Sequence, residues 1–231
     1  MKIDLSLIVI KYFVILIEIG VERIPIVKIL FTSLLFTFVN YLIISTIINI
    51  ILMGMLHFRF SLRCRASKFI IHKPNRIDFQ NGNKCSAFSS AYLLRHWSIE
   101  KSGDDLYEVI PNKMKDGCVY PKGIQKLFSQ YDFHVKYYTG NINALKNEVN
   151  KGNPVIVMIR TYIGENWLHY VSVIGYDEKY IFIADSFEEL VNCKEQYYNR
   201  KITIKEFKKL WNTSMLKMPF YRNTYVAVYK K

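Results

Sequence analysis

The sequence HYVSVIGYDEKYIFIAD, which begins at His169 and ends at Asp185, decides the fold. Its first eight and last six residues are rich in β-branched and aromatic side chains, and a short turn at Asp177–Glu178 separates them. This pattern predicts an antiparallel β-hairpin. The start of one hairpin strand lies beside the end of the next, so we expect His169 and Asp185 to meet. A carboxylate in that place would fix the imidazole tautomer and stabilise the imidazolium.

The flanking sequence predicts a helical first part followed by a mainly antiparallel sheet, which is an α+β fold. Pro121 and Gly152 mark one helix start and one helix stop, and Thr203 and Glu206 have capping-box spacing. The predicted helices are Cys85–Trp97, Pro121–Tyr131, Ile142–Asn150 and a segment ending near Trp211. The further predicted strands are Phe133–Tyr138, Pro154–Tyr162 and Thr224–Tyr229.

Cys85 is a candidate nucleophile because it opens a predicted helix, directly after the turn-forming stretch Asn81-Gly82-Asn83. Backbone N–H groups and the helix dipole at that end favour a thiolate. Gln80 lies five residues earlier, where its amide could bind an oxyanion together with a backbone N–H. Taken singly, such a cysteine is more often a small buried residue and such a glutamine a polar turn residue. The order Cys, His, Asp on helix and sheet favours thiol catalysis.

The segments that carry these residues resemble the C39-like branch of the papain-like cysteine peptidases. They are Gln80, Cys85-Ser-Ala-Phe-Ser-Ser-Ala, His169-Tyr-Val-Ser-Val-Ile-Gly-Tyr-Asp and Ile181-Phe-Ile-Ala-Asp185-Ser, and the resemblance covers residues 77–190. It implies a papain-like α+β fold, with Cys85 as nucleophile and His169 as general base and acid. It further implies Asp185 as the orienting residue, Gln80 as the oxyanion donor, a peptide or protein substrate, and no cofactor.

Three positions depart from the family pattern. Ser86 stands where the family usually has Gly, and Ser186 where Pro is frequent. Gln80 is one residue nearer the nucleophile than is common, which leaves Asn81 or Asn83 as substitute donors. Two alternatives to an active peptidase therefore stay open. One is a non-catalytic binding or regulatory module, and the other is an acyl transferase that uses the same thioester.

The N-terminal part is typical of a membrane anchor. Ile29–Phe58 contains no Asp, Glu, Lys or Arg, and a bilayer core needs only about 20 apolar residues in a helix. The preceding stretch, Leu5–Gly20, is apolar but carries Lys11 and Glu18. It predicts either a first span with charges facing its partner or an interfacial amphipathic helix. We therefore expect an anchor over residues 1–58, a basic linker over 59–76 and a C39-like domain over 77–231.

Basic flanks predict the orientation of this anchor. Six Lys or Arg residues occur from Arg59 to Arg76, whereas the flank from Glu18 to Lys28 is nearly neutral. The positive-inside rule places the cluster, and the domain after it, in the cytoplasm. There Cys64, Cys85, Cys118 and Cys193 would stay reduced.

The net charge of +13 lies almost wholly after residue 58, since only four basic and three acidic residues precede it. No helix-turn-helix, zinc-finger or RNP-like motif accompanies this charge, so we expect no nucleic-acid partner. Anionic membrane lipids are the favoured partner, and a merely solvated basic surface is the alternative. The cysteines form no CxxC or Cys/His cluster, which argues against a metal site.

Overall fold

A computed structural model of the chain describes residues 25–215, 218 and 220–230. The chain divides into two compact units, Met1–Ile47 and Ile48–Lys231. The predicted first span, Leu5–Gly20, lies outside the described residues.

Helix α1, Pro25–Met53, confirms the predicted long apolar helix. Its segment Lys28–Met53 is long and apolar enough to cross a membrane, with a mean hydropathy of 2.1. Polar side chains within it bond to carbonyls one turn earlier: Thr37 Oγ1 donates to Ser33 O, and Asn40 Nδ2 donates to Phe36 O. Most of its large apolar side chains are exposed. The helix stops at Met53 because Gly54 adopts a φ of +93°, a conformation that suits glycine.

Over the described residues, one eight-stranded sheet forms the centre of the second unit. Seven of its strands are hydrogen-bonded in the order β1-β3-β8-β4-β5-β6-β7, and the remaining strand, β2, pairs with β5. All its pairings are antiparallel except the parallel pairing of β1 with β3. The strands are β1 Leu56–Arg59, β2 Phe69–Ile70, β3 Phe133–Gly140, β4 Val155–Arg160, β5 Leu168–Tyr176, β6 Tyr180–Ala184, β7 Arg200–Thr203 and β8 Thr224–Lys230.

The helices complete the predicted α+β architecture. They are α2 Cys85–His96, α3 Gly103–Val109, α4 Pro121–Ser129, α5 Ile142–Val149 and α6 Ile204–Trp211, with a 3₁₀ turn at Glu188–Leu190. Predicted caps are present, since Thr203 Oγ1 accepts the Glu206 N–H and Pro121 occupies the first turn of α4. Strands β1, β2 and β7 and helix α3 had no clear sequence signal, because the strands are too short to show alternation.

Helix α2 packs against β5 and is buried along its whole length. Small side chains permit the close approach. Ser89 Oγ donates to the Tyr170 carbonyl at 3.0 Å, which joins the helix to the strand directly. Because Cys85 starts this helix and His169 lies near the start of β5, the packing brings the two candidate residues to one end of the interface.

Segment 59–76, which lacks clear periodicity, belongs to the second unit and makes specific contacts with other parts of it. Ser61 N–H donates to Asn141 Oδ1 at 3.1 Å, and Arg65 N–H donates to Asn147 Oδ1 at 3.0 Å. Phe69 and Ile70 add a short strand beside Tyr176 and Gly175.

Candidate active site

The β5–β6 hairpin brings His169 and Asp185 into direct contact, as the sequence predicts. Ser172 pairs with Ala184, so continuing that register places Asp185 beside Val171. His169 is two residues from Val171 on the same face of β5, within diagonal reach across the strands. His169 Nε2 lies 2.7 Å from Asp185 Oδ1, and the two side chains are only 5% and 0% exposed.

Three further residues fix Asp185, two through its carboxylate and one through its backbone. The Phe187 N–H donates to Oδ1 at 2.9 Å, and Arg200 donates from NH1 to Oδ2 at 2.7 Å. Asn199 binds the backbone of Asp185 on both sides, accepting from its N–H and donating to its carbonyl, each at 2.8 Å. Burial opposes ionisation of this carboxyl, but the charges of His169 and Arg200 outweigh it and hold the pKa below its usual value. Arg200 was missed at the sequence level.

His169 also interacts with Cys85. Burial disfavours charge on the imidazole, yet the Asp185 carboxylate and a hydrogen bond with Cys85 outweigh it and raise the pKa of His169 to about 10. Since Nε2 faces Asp185, Nδ1 is the ring nitrogen left for the sulfur. A protonated ring at this position can supply a proton to a leaving group. The structure therefore brings the three predicted residues together, with His169 bonded to Asp185 and sharing a cleft with Cys85.

The N-terminus of α2 leaves a backbone donor at the nucleophile. Lys84, which precedes the helix, makes no side-chain cap. The first backbone bonds of the helix start from Ala87 and Phe88. Among the described residues, no acceptor for the Cys85 N–H is found. This amide can serve an oxyanion, as the helix position predicts.

Gln80 lines the same cleft as Cys85 and is held by Ser186. The Gln80 N–H donates to the Ser186 carbonyl at 2.8 Å, and Ser186 Oγ donates to Gln80 Oε1 at 2.7 Å. Gln80 Nε2 donates to the Gly82 carbonyl at 2.6 Å, which uses one of its two hydrogens. Of the substitute donors, Asn83 lines the same cleft but donates to the Asp116 carbonyl, whereas Asn81 is not part of the lining.

The site opens into a cleft of about 370 Å³. It is lined by Gln80, Gly82, Asn83, Cys85, Cys118, Thr161, Tyr162, Glu165, Trp167, Leu168, His169, Phe187 and Glu189. A second thiol, Cys118, thus shares the cleft. Burial, Asp116 and Cys85 raise the pKa of Cys118 to about 11, so it is a poor nucleophile near neutral pH. Within the described part of the chain, no three His, Cys, Asp or Glu side chains are grouped as a metal site would require.

Comparison with known proteins gives a family match and two similar folds. The model of the peptidase C39 like family matches residues 71–215. A putative C39-like peptidase from Bacillus anthracis has a TM-score of 0.54 and 18% identity, over 72% of this chain and 99% of the other. The peptidase domain of Streptococcus ComA, a bifunctional ABC transporter in a quorum-sensing pathway, has a TM-score of 0.52 and 12% identity, over 69% and 100%. No curated protein matches the chain.

Proposed function

Because the chain belongs to the peptidase C39 like family, we propose that it is a membrane-anchored cysteine peptidase that cleaves peptide bonds through a thioester. The observation that carries this proposal is the buried His169–Asp185 bond of 2.7 Å, with Cys85 at the other side of the ring. A hydrogen-bonded thiol, imidazole and carboxylate are the components of thiol acyl transfer. Processing of peptides or leader sequences is the role that suits such an enzyme.

In the first half-reaction the Cys85 sulfur attacks the scissile carbonyl carbon and forms a carbon–sulfur bond. The imidazolium of His169 gives its proton to the leaving amine as the carbon–nitrogen bond breaks. In the second half-reaction His169 takes a proton from water, whose oxygen attacks the thioester and releases the carboxylic acid and the thiolate. Asp185 holds the ring in the required tautomer throughout.

The negative charge on the carbonyl oxygen needs donors that are already in place. The Cys85 N–H is one, because it lies at the nucleophile. The second Nε2 hydrogen of Gln80 is the other, because Ser186 fixes the orientation of the amide. This pairing keeps Gln80 in the role that its position before the nucleophile predicts.

Helix α1 is the proposed anchor, and the basic residues that follow it favour the cytoplasmic side for the domain. The substrate is then a peptide made inside the cell, and the thiol stays reduced. Protease treatment of intact cells tests this orientation. A tag at the C-terminus should survive in unbroken cells and disappear after lysis, and rapid loss from unbroken cells would contradict it.

Thiol reactivity tests the catalytic proposal. An iodoacetamide probe at neutral pH should modify Cys85 selectively. Burial raises the pKa of both Cys118 and Cys193, and the Cys64 sulfur lies 3.0 Å from the Tyr176 hydroxyl, which holds it in a hydrogen bond. His169→Ala should abolish the selectivity, whereas His134→Ala, at an exposed position on β3, should preserve it. Equal labelling of all four cysteines in the folded chain would contradict the proposal.

Product analysis separates the peptidase from its alternatives. Incubation with a peptide library and an added amine should yield free carboxylic acids, detected by mass spectrometry. Amide products with the added amine would indicate an acyl transferase. Selective labelling of Cys85 without any product would favour a binding module, most clearly if a cellular phenotype survives Cys85→Ala but not removal of residues 77–231.

A further inference from the structure

The cleft is acidic although the chain is basic. Glu165 and Glu189 line it, and no Lys or Arg does, in a protein with 32 basic and 19 acidic residues. Both glutamates are exposed, and neither takes part in a salt bridge among the described residues. Two unpaired carboxylates therefore face the space where a substrate would lie.

Glu165 belongs to the loop that connects β4 to β5, directly before His169. Arg160 NH1 donates to the Glu165 backbone carbonyl at 2.6 Å and to Asn166 Oδ1 at 2.9 Å. The remaining bonds of this guanidinium go to the backbone carbonyls of Asn212 and Ser214. Arg160 thus holds the loop through neutral acceptors and leaves the Glu165 carboxylate available.

Glu189 lines the same cleft and lies on the segment that follows Asp185. It lies in the 3₁₀ turn Glu188–Leu190, which the Leu190 N–H closes by donating to the Phe187 carbonyl at 3.0 Å. Phe187 makes an edge contact with the His169 ring, at 5.9 Å between centroids. The two glutamates are therefore carried by the two segments that adjoin the catalytic pair.

Trp167 adds an aromatic surface to this part of the cleft. Its side chain is 62% exposed, and Tyr162 on the same loop is 45% exposed. An exposed indole ring attracts cations through its π-face, and it also packs against the aliphatic stem of Lys or Arg. Carboxylates beside an exposed indole are the combination that recognises a basic side chain.

We propose that this cleft selects peptides with a Lys or Arg residue near the scissile bond, bound by Glu165 and Glu189 beside Trp167. The inference rests on the proposed peptidase function, for which it names the substrate class. The net charge of the protein repels such peptides at long range, but screening limits this to about 8 Å at physiological salt. Contacts inside the cleft therefore decide the preference.

The test uses the full-length chain in a neutral detergent and sets of decapeptides made of Ala, Leu and Gly. In each set one position at a time carries Lys, Gln or Glu. Cleavage of the best Lys peptide should have a kcat/KM about tenfold above its Gln counterpart, since each exposed ion pair contributes about two- to fivefold. Glu165→Gln with Glu189→Gln should remove that difference, while Glu188→Gln, which alters the residue beside Glu189 outside the cleft lining, should keep it.

Binding of the same peptides to the Cys85→Ala variant, measured by fluorescence anisotropy, separates this inference from the proposed function. Preferential binding of Lys peptides without cleavage by the unaltered chain would support the charge selection and overturn the peptidase. Cleavage with equal kcat/KM for Lys and Gln peptides, or with a preference for Glu, would overturn the selection and leave the peptidase standing. Neither binding nor cleavage of any member would overturn both.

Discussion

Replacing Arg200 with Met tests whether a buried cation stabilises the buried Asp185 carboxylate. Arg200 lies 2.7 Å from Asp185, and the two side chains are only 7% and 0% exposed. Met fills much of the same volume without charge or donors. The variant leaves the Asp185 carboxylate with His169 and the Phe187 N–H as its partners, at a position where the Asp185 side chain has no exposed surface.

The expected cost follows from this burial. Removing one member of a buried ion pair typically costs 3–5 kcal/mol, and because His169 remains we expect about 3 kcal/mol. For a chain of this size that loss lowers the melting temperature by roughly 6–12 °C. Removing both charges, with Asp185→Asn added to Arg200→Met, should cost less than the sum of the two single changes, since no unpaired carboxylate is left.

Thermal unfolding of the full-length chain, followed by near-ultraviolet circular dichroism, measures this effect. Lys201→Met is the matched control because Lys201 adjoins Arg200 on β7 but is exposed. It should change the free energy of unfolding by no more than about 0.5 kcal/mol. An Arg200→Met variant as stable as Lys201→Met would refute the argument that Arg200 neutralises a buried charge.

Three further outcomes are expected. The folded pKa of His169, about 10, exceeds its ordinary 6.5, so the ion pair stabilises fully below pH 6.5 and its contribution is lost as the pH rises towards 10. Between pH 6.5 and 10, the free energy of unfolding should fall more steeply for the unaltered chain than for His169→Gln. Equal falls in the two proteins would contradict the pairing of His169 with Asp185. Ser86→Ala should raise the free energy of unfolding by about 1 kcal/mol, because the Ser86 hydroxyl is buried without a partner among the described residues. Thermal scans measure this change, and a loss of stability would show that the hydroxyl has a hydrogen-bond partner. Gln80→Ala should lower kcat about 100-fold in the peptide assay while Asn81→Ala should not, and equal effects would remove Gln80 as the oxyanion donor.

The grouping of Cys85, His169 and Asp185 could be predicted from sequence because most of it depends on local rules. The connection Asp177–Lys179 sets the register at the closed end of the hairpin. A register shift between Val173 and Gly175 then places Asp185 level with Val171, on the face of β5 that carries His169. Cys85 lies at the start of a helix, and the turn-forming residues Asn81-Gly82-Asn83 before it predict that start. Arg200 could not be found in this way. It follows Asp185 by 15 residues, and an irregular segment lies between them, so no spacing rule connects the two.

The three departures from the family pattern have different physical consequences. Ser86 contributes a buried hydroxyl without a partner, which is a cost to stability and not to the chemistry, since its side chain is absent from the cleft lining. Ser186 contributes the donor that holds the Gln80 amide, which Pro at this position could not do. The short spacing of Gln80 is thereby compensated, because its orientation is set by the segment after Asp185 and not by its distance from Cys85 along the chain. The serine at position 186 thus offsets the short spacing of Gln80. This favours a working oxyanion site over a degenerate one.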